Sequence, residues 1–467
     1  MHVLIVTPEV SPFCPEAGTG ELAGTLARAL RESGTRVTLI SPFHREINAD
    51  RFGLARRIRK LQLTLGGQRQ VEVGLLDGKF PSSDVQLIFV DHEIYQESGT
   101  SEPRRHELLC RSAACIADQL GLDPDVLHAV GWQSALTLLL AREAAGGSAL
   151  ARARRVLTFH EIGGVFERST LDELGLDDGL FTPEGIEFHG KVSLLKAGVI
   201  GAHVVCTTSP ARARELCAEE RGGGLHGLFQ SLGDRLVGVQ GGIDYGVWDP
   251  SSDHRIAERY EADHIEGKAA CKRALQHELG LPPRAAPLVV QLAPFGQGSG
   301  LGRVMDALQR WPEGEGPLQI GVNGGDASTR SRVAAVQTRP NLTLAHVSAA
   351  VDGDNLHRVL AGADALLVPP LADSGSHLPL KALRYGAIPL VHRVGGLADA
   401  VVDFDAPSRT GTGITFLHDN PEGLITALHR LAIVHATPES WSALTTNAMR
   451  QRFPMGRLAR RYLEVYA

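Results

Sequence analysis

Short apolar runs, each followed by a turn and then by apolar residues at helical spacing, recur along almost the whole chain. The first run is HVLIVTP at 2–8, which leads through a Gly-rich loop to Leu22, Leu26 and Leu30. Runs of this kind are typical of buried parallel strands joined by helices. Similar runs begin at residues 35, 125, 154, 203 and 235, and a second series begins at 287, 318, 342, 364 and 387. The pattern predicts an α/β protein with two open parallel sheets.

A polar, helical stretch at 254–281, followed by three prolines, separates the two series of strands. It predicts an inter-domain connection at 246–285, between an amino-terminal domain of residues 1–245 and a carboxyl-terminal domain of residues 286–440. Residues 441–467 are expected to form a last helix. Two open sheets that face each other leave a cleft at the carboxyl ends of their strands, where loops carry function.

Composition and charge exclude several classes of partner. The chain has 47 Lys and Arg against 53 Asp and Glu, a formal net charge of −6. It therefore lacks the excess of positive charge that is typical of proteins that bind nucleic acid. No apolar stretch approaches the length that spans a bilayer, and no basic cluster suggests a membrane surface. The amino terminus, MHVLIVTPEV, predicts a first strand and not a signal peptide. The six cysteines lack C-x-x-C spacing, so a metal site is not expected. A soluble cytoplasmic protein is the favoured class.

Four segments carry a resemblance that covers nearly the whole chain. They are LGLDDGLFTPEGIEFHGKVSLLKAGVIGAHVVCTTSPARARE at 174–215, GGIDYGVWDP at 241–250, EGKAACKRALQHELGL at 266–281 and ALRYGAIPLVHRVGGLADAVVD at 382–403. On these segments the chain resembles the bacterial glycogen synthase and plant starch synthase family, which transfers glucose from ADP-glucose to an α-1,4-glucan with retention of anomeric configuration.

The resemblance implies a fold, partners and the absence of a cofactor. The fold is α/β, with two Rossmann-like domains facing across a cleft in the GT-B arrangement and the carboxyl-terminal helix returning to the first domain. The expected partners are ADP-glucose or ADP and an α-1,4-glucan such as glycogen. The family, as the resemblance implies, uses no metal and no cofactor.

The resemblance places the departing diphosphate against an Arg and a Lys of the second domain and a Lys-x-Gly-Gly loop of the first. Preorganised donors at such positions contribute about 10² to 10³ in rate apiece. In this chain Pro294 and Ser299 stand at the Arg and the Lys, and Pro15 stands at the Lys of the loop. Backbone N–H groups around Gly300 could still cradle a phosphate. Arg303, one helical turn beyond Ser299, is the candidate replacement cation.

The first domain keeps part of the implied site. Gly18 and Gly20 preserve the Gly-rich loop and are candidate donor-binding residues, although an exposed Gly-rich turn before a helix is the simpler explanation when the loop is taken alone. His160 matches the His that in the family lies by the transferred glucose, and it is the first candidate catalytic residue. Gly131, in GWQSA, stands where the family has the Asp of an Asp-Trp pair.

The second domain supplies the other candidate catalytic residue. Asp373, in ADSGSHL, stands at the family's acidic residue, the first of a Glu-Pro-Cys-Gly-Leu run, and is one methylene shorter. A helix-capping Asp without chemistry explains this residue as well. Gly324 and Gly325, in NGGD, resemble a nucleotide-side turn of the family, which a plain β-turn also explains.

Three further donor-binding candidates match the family's Gly-Gly-Leu loop: Gly395, Gly396 and Leu397. His377 and Lys381 are local cations that the family does not usually show at these positions. For Lys381, a solvated place on a helix face is the simpler interpretation.

The pattern leaves three interpretations open. The first is an active glycogen or starch synthase that uses ADP-glucose, with Arg303, His377 or Lys381 in place of the lost cations. The second is a catalytically inactive homologue that binds glucan or regulates. The third is a transferase with a different sugar donor. If two cations are lost without substitutes, the rate could fall by about 10⁴ or more.

Overall fold

A computed structural model of the chain describes residues 1–14, 18–96, 102–144, 148–292, 301–313, 315–323, 331, 341–347, 354–368 and 377–467. The chain divides into two compact units. Unit 1 comprises residues 1–241 and 455–467, and unit 2 comprises residues 242–454.

The strands are, in chain order, β1 His2–Val6, β2 Arg36–Pro42, β3 Ala55–Arg56, β4 Leu61–Leu65, β5 Arg69–Lys79, β6 Gln86–Asp91, β7 Val126–Val130, β8 Arg154–Thr158, β9 Val165–Phe166, β10 Glu187–Phe188, β11 Lys191–Ser193, β12 Val204–Thr207, β13 Leu236–Gly238, β14 Leu288–Gln291, β15 Leu318–Asn323, β16 Leu342–Val347, β17 Ala365–Val368, β18 Ile388–His392 and β19 Ile414–Phe416.

The helices are α1 Gly18–Glu32, α2 Glu102–Gln119, α3 Leu136–Glu143, α4 Ala149–Arg152, α5 Thr170–Glu173, α6 Leu194–Gly201, α7 Pro210–Leu216, α8 His226–Leu232, α9 Glu266–Glu278, α10 Leu301–Gln309, α11 Asp354–Gly362, α12 Leu378–Arg384, α13 Gly395–Ala400, α14 Pro421–His435, α15 Pro438–Arg450 and α16 Met455–Tyr466. Short 3-10 helices cover Gly66–Gln68, Glu93–Tyr95, Trp132–Ser134, Asp178–Leu180 and Gly233–Arg235. Over the ranges that the structure describes, no helix combines the length and the apolar character needed to cross a membrane.

Unit 1 is built on one large sheet with the strand order β13-β12-β8-β7-β1-β2-β6-β5-β3, and β4 pairs with β5. Neighbours from β13 to β6 are parallel, whereas β5 runs antiparallel to β3, β4 and β6. The order reverses between β1 and β7, as at the switch point of a Rossmann-like sheet. The antiparallel extension was not predicted from the sequence. In β4, buried and exposed residues alternate, which is typical of a sheet with one solvated face.

Unit 1 also contains a second, small sheet that the sequence pattern does not predict. Its strands lie in the order β10-β11-β9. His189 and Gly190, between β10 and β11, have φ values of +51° and +78°, as a two-residue type I′ hairpin requires. Strands of two or three residues are too short to leave a periodic signal in the sequence.

The last helix, α16, packs against α1 of unit 1, where Leu458 and Tyr462 share an apolar cluster with Leu26. The predicted return of the carboxyl-terminal helix to the first domain is therefore confirmed. The helix begins later than predicted, because Pro454 separates it from α15 and a proline disfavours a helical residue before it. Residues 441–450 consequently belong to a separate helix of unit 2.

Unit 2 contains a sheet of parallel strands in the order β16-β15-β14-β17-β18-β19. This is the doubly wound order 3-2-1-4-5-6, whose switch point lies between β14 and β17. Leu288 and Val290 pack into the apolar cluster on one face, and Val289 packs into the cluster on the other. The predicted fold class, α/β with two Rossmann-like units, is confirmed.

Candidate functional site

The carboxyl ends of β1, β7 and β8 bring several predicted residues together at the switch point of unit 1. Gly131 follows β7 directly, and its N–H donates to the carbonyl of Thr158 at 2.8 Å. Helix α1 begins at Gly18, and a Cβ at Gly20 would lie 3.1 Å from Cγ of Glu9. Glycine at position 20 thus allows the first turn of α1 to approach the segment after β1 closely.

His160 lies two residues beyond the end of β8 and is only 3 % exposed. Its Nε2 atom is 2.7 Å from Oγ1 of Thr19, the second residue of α1. The preceding residue, Phe159, stacks on Phe229 with ring centroids 5.6 Å apart, and this contact anchors the strand end. An imidazole fixed at the carboxyl end of a strand can exchange hydrogen bonds with a polar ligand. Thr19 was not singled out in the sequence.

Seven predicted site residues lie outside the described ranges, so their positions stay predictions. They are Pro15, Pro294, Ser299, Gly300, Gly324, Gly325 and Asp373.

Arg303, the candidate replacement cation, lies in the first turn of α10 and is bonded to Asp419. Its Nη1 atom donates to the two carboxylate oxygens at 2.7 and 2.6 Å. The pair lines a small crevice with Leu367 and Phe416, at the carboxyl ends of β17 and β19. The carboxylate of Asp419 therefore offsets the positive charge that Arg303 would present to a diphosphate.

Lys381 and His377 are buried, with 7 % and 3 % of their surfaces exposed. The ammonium nitrogen of Lys381 is 4.2 Å from the ring centroid of Trp248, within the range of a cation–π contact. The interpretation of Lys381 as a solvated helix residue is therefore wrong. The helical pattern could not reveal that the segment carrying Trp248 covers this side of α12.

Trp248 extends this contact into a buried polar network of unit 2. Its ring stacks on His357 at 4.0 Å between centroids. Oδ2 of Asp253 is 2.6 Å from both Nδ1 of His357 and the hydroxyl of Tyr385. Burial opposes ionisation of Asp253, but hydrogen bonds from Tyr385 and the backbone of Arg255, together with His357, hold its pKa below the usual value. Burial also lowers the pKa of His357.

The Gly-Gly-Leu loop forms the start of α13, where Gly395, Gly396 and Leu397 are all buried. Gly395 has a φ of +50°, a conformation that glycine adopts without a Cβ penalty. The loop follows β18, whose last residue, His392, donates from Nε2 to the carbonyl of Leu417 at 3.0 Å. These three residues therefore lie at the carboxyl edge of the sheet of unit 2.

Comparison with known proteins gives consistent matches. The model of the starch synthase catalytic domain matches residues 2–231. The glycogen synthase of Anaeromyxobacter sp. (strain Fw109-5) is 34 % identical over 481 aligned positions, which cover 100 % of this chain and 99 % of that protein. Glycogen synthase 2 of Geobacter sulfurreducens is 31 % identical and is covered over 98 % of its length.

A solved structure supports the fold. The catalytic domain of starch synthase IV from Arabidopsis thaliana, bound to ADP and acarbose, superposes with a TM-score of 0.89. The comparison covers 100 % of this chain and 98 % of that chain, at 24 % identity. The fold common to the two chains is the GT-B fold.

Proposed function

The chain belongs to the glycogen synthase and starch synthase family of glycosyltransferases, and we propose that it transfers glucose from ADP-glucose to the non-reducing end of an α-1,4-glucan, with retention of configuration. The observation that carries this proposal is the buried His160, held at the switch point of unit 1 where the family resemblance puts the transferred glucose. The proposed compartment is the cytoplasm.

Relatives support the donor and the acceptor. Two of them are glycogen synthases that align over nearly their full length, and the structural neighbour was solved with ADP and acarbose. In the proposed reaction, the bond between the anomeric carbon and the diphosphate oxygen breaks, and a bond to a glucan hydroxyl forms on the same face. The hydroxyl proton passes to the departing phosphate oxygen, so ADP carries it away from the new glucosidic bond. His160 would hydrogen-bond the glucose and orient it.

The proposed reaction requires groups that stabilise the negative charge on the departing ADP. In the described ranges, Arg303 is bonded to Asp419, and Lys381 is buried against Trp248. The remaining stabilisation would come from backbone N–H groups and from the positive amino-terminal ends of helices such as α10. Because each missing preorganised donor costs about 10² to 10³ in rate, we expect slower turnover than in a synthase with the full set.

Incorporation of label into polymer tests the function directly. Purified protein is incubated with ADP-[¹⁴C]glucose and glycogen, and polymer-bound label is counted. We expect incorporation that His160→Ala or Asp373→Ala removes. His203→Ala is a matched control in unit 1, because His203 is exposed and precedes the amino end of β12, away from the site.

Parallel measurements separate the other interpretations. Label from UDP-[¹⁴C]glucose without label from ADP-[¹⁴C]glucose would indicate a different donor. Retained binding of glycogen, with no incorporation and no thermal shift on addition of ADP, would indicate a glucan-binding homologue without turnover. Either result would overturn the proposal.

A further inference from the structure

His160 is in contact with a residue whose side chain differs from the one in the family loop. Oγ1 of Thr19 is 2.7 Å from Nε2 of His160, and both residues are almost completely buried. The gap-free match that puts Pro15 at the loop Lys puts Thr19 at the apolar Leu of Lys-Thr-Gly-Gly-Leu. A hydroxyl therefore stands where a hydrocarbon side chain is expected, and it is bonded to the candidate catalytic histidine.

Gly131 makes the room for this contact. Its backbone has φ +86° and ψ 149°, close to a region that essentially only glycine occupies. A Cβ at this position would lie 3.1 Å from Cγ2 of Thr19 and 2.7 Å from Oε1 of Gln133. A side chain at residue 131 would thus press on Thr19. The two residues that differ from the family pattern, Thr19 and Gly131, are therefore neighbours in the structure.

We propose that Thr19 is a positioning residue for His160, and that glycine at position 131 leaves the space that the Thr19 side chain occupies. This inference rests on the proposed function. Thr19 lies on α1 and His160 follows β8, so their hydrogen bond ties the orientation of the imidazole to the first turn of the helix. A hydroxyl can donate or accept and carries no charge. It therefore fixes the ring without adding a negative charge beside the sugar-diphosphate donor.

Kinetics of isosteric variants test the positioning role. Thr19→Val keeps the shape and removes the hydroxyl, so kcat should fall about tenfold, the effect of losing one hydrogen bond, with KM little changed. Thr19→Ser should restore most of the lost kcat. Thr38→Val is a matched control, because Thr38 is also buried and its Oγ1 is 3.0 Å from Nε2 of His2, at the amino end of the same sheet. It should leave kcat unchanged.

A spectroscopic readout separates this inference from the proposed function. Long-range ¹H–¹⁵N spectra of histidine-labelled protein report the tautomer and hydrogen bonding of each imidazole, and His160→Gln assigns the resonance. In Thr19→Val the Nε2 resonance of His160 should move towards that of an imidazole nitrogen without this hydrogen bond, and in Thr38→Val it should stay. Unchanged His160 resonances in Thr19→Val would overturn the inference, even if the wild-type protein transfers no glucose.

Gly131→Ala tests the second half of the inference. The added methyl group should displace Thr19, lower kcat and move the same His160 resonance. Because both variants act on one contact, Gly131→Ala combined with Thr19→Val should be little worse than Gly131→Ala alone. Additive losses would show that residue 131 acts independently of Thr19 and would contradict this part.

Discussion

His128 allows a quantitative test of how the terminal helix is held on unit 1. It lies in β7 with no exposed surface. Its Nδ1 atom is 2.8 Å from the hydroxyl of Tyr466 on α16, and its Nε2 atom is 2.7 Å from Oγ1 of Thr158. Each hydroxyl can donate or accept, so a neutral imidazole satisfies both contacts. An imidazolium would be a buried charge without a counter-ion among the described residues.

Burial lowers the pKa of His128 from 6.5 to about 3. The unfolded chain therefore takes up a proton near pH 6.5, whereas the folded chain resists protonation until near pH 3. Below pH 6.5 the unfolded state binds more protons, so the free energy of unfolding falls as the pH falls. The slope is about 1.4 kcal/mol per pH unit, and the total loss across this window is roughly 5 kcal/mol.

Urea unfolding of the wild-type protein and of His128→Gln measures this slope. Pulsed hydrogen exchange on peptides from β7 and β8 reports unit 1 separately from unit 2. Between about pH 6.5 and pH 5 the wild type should lose about 2 kcal/mol more than the variant. Tyr466→Phe is the control, because it removes one hydrogen bond but leaves the buried imidazole in place. It should lower stability and keep the wild-type pH dependence. Parallel curves for wild type and His128→Gln would show that burial of this imidazole does not set the pH dependence of stability.

Three further predictions concern charged side chains that are buried or paired in a salt bridge. Glu107 has no exposed side-chain surface and accepts from Nε of Arg111 at 2.8 Å, so Glu107→Gln should destabilise unit 1 by about 3 kcal/mol in urea unfolding; a loss under about 0.5 kcal/mol would contradict this. Burial lowers the pKa of Lys268 to about 8, so the stability of unit 2 should rise with pH between about 8 and 10.5 in the wild type, and this rise should be absent in Lys268→Met. Asp419→Asn should release Arg303 and tighten ADP binding about fivefold in calorimetry, whereas unchanged affinity would show that Arg303 does not reach the ligand.

The parallel strands of both units could be predicted from the sequence because burial on both faces leaves a continuous apolar run. Leu288–Gln291 and Ile388–His392 are such runs, and both are central strands of unit 2. The antiparallel strand Leu61–Leu65 was missed because its apolar residues alternate with polar ones and lie outside the repeating pattern. The return of α16 to unit 1 depends on long-range packing, and its prediction came from the family resemblance.

In the candidate site, too, some features follow from a local sequence pattern and others depend on long-range packing. The position of His160 after a strand was sufficient to predict its place at the sheet edge. The contact with Thr19 depends on how α1 approaches β8, across 141 residues of sequence, and no local pattern encodes it. The cover that Trp248 provides for Lys381 is likewise a tertiary contact between separate segments. Spacing along one helix predicts which face a residue occupies but not which segment packs on that face.

We propose that this family member, with its altered donor loops, forms new glucosidic bonds from ADP-glucose. The most direct measurement follows ADP release and the anomeric proton signals of a maltooligosaccharide acceptor in the same NMR tube. We expect one new α-1,4 linkage for each ADP released, and loss of both signals in His160→Ala. ADP release without new linkages, or neither signal from the wild-type protein, would contradict it.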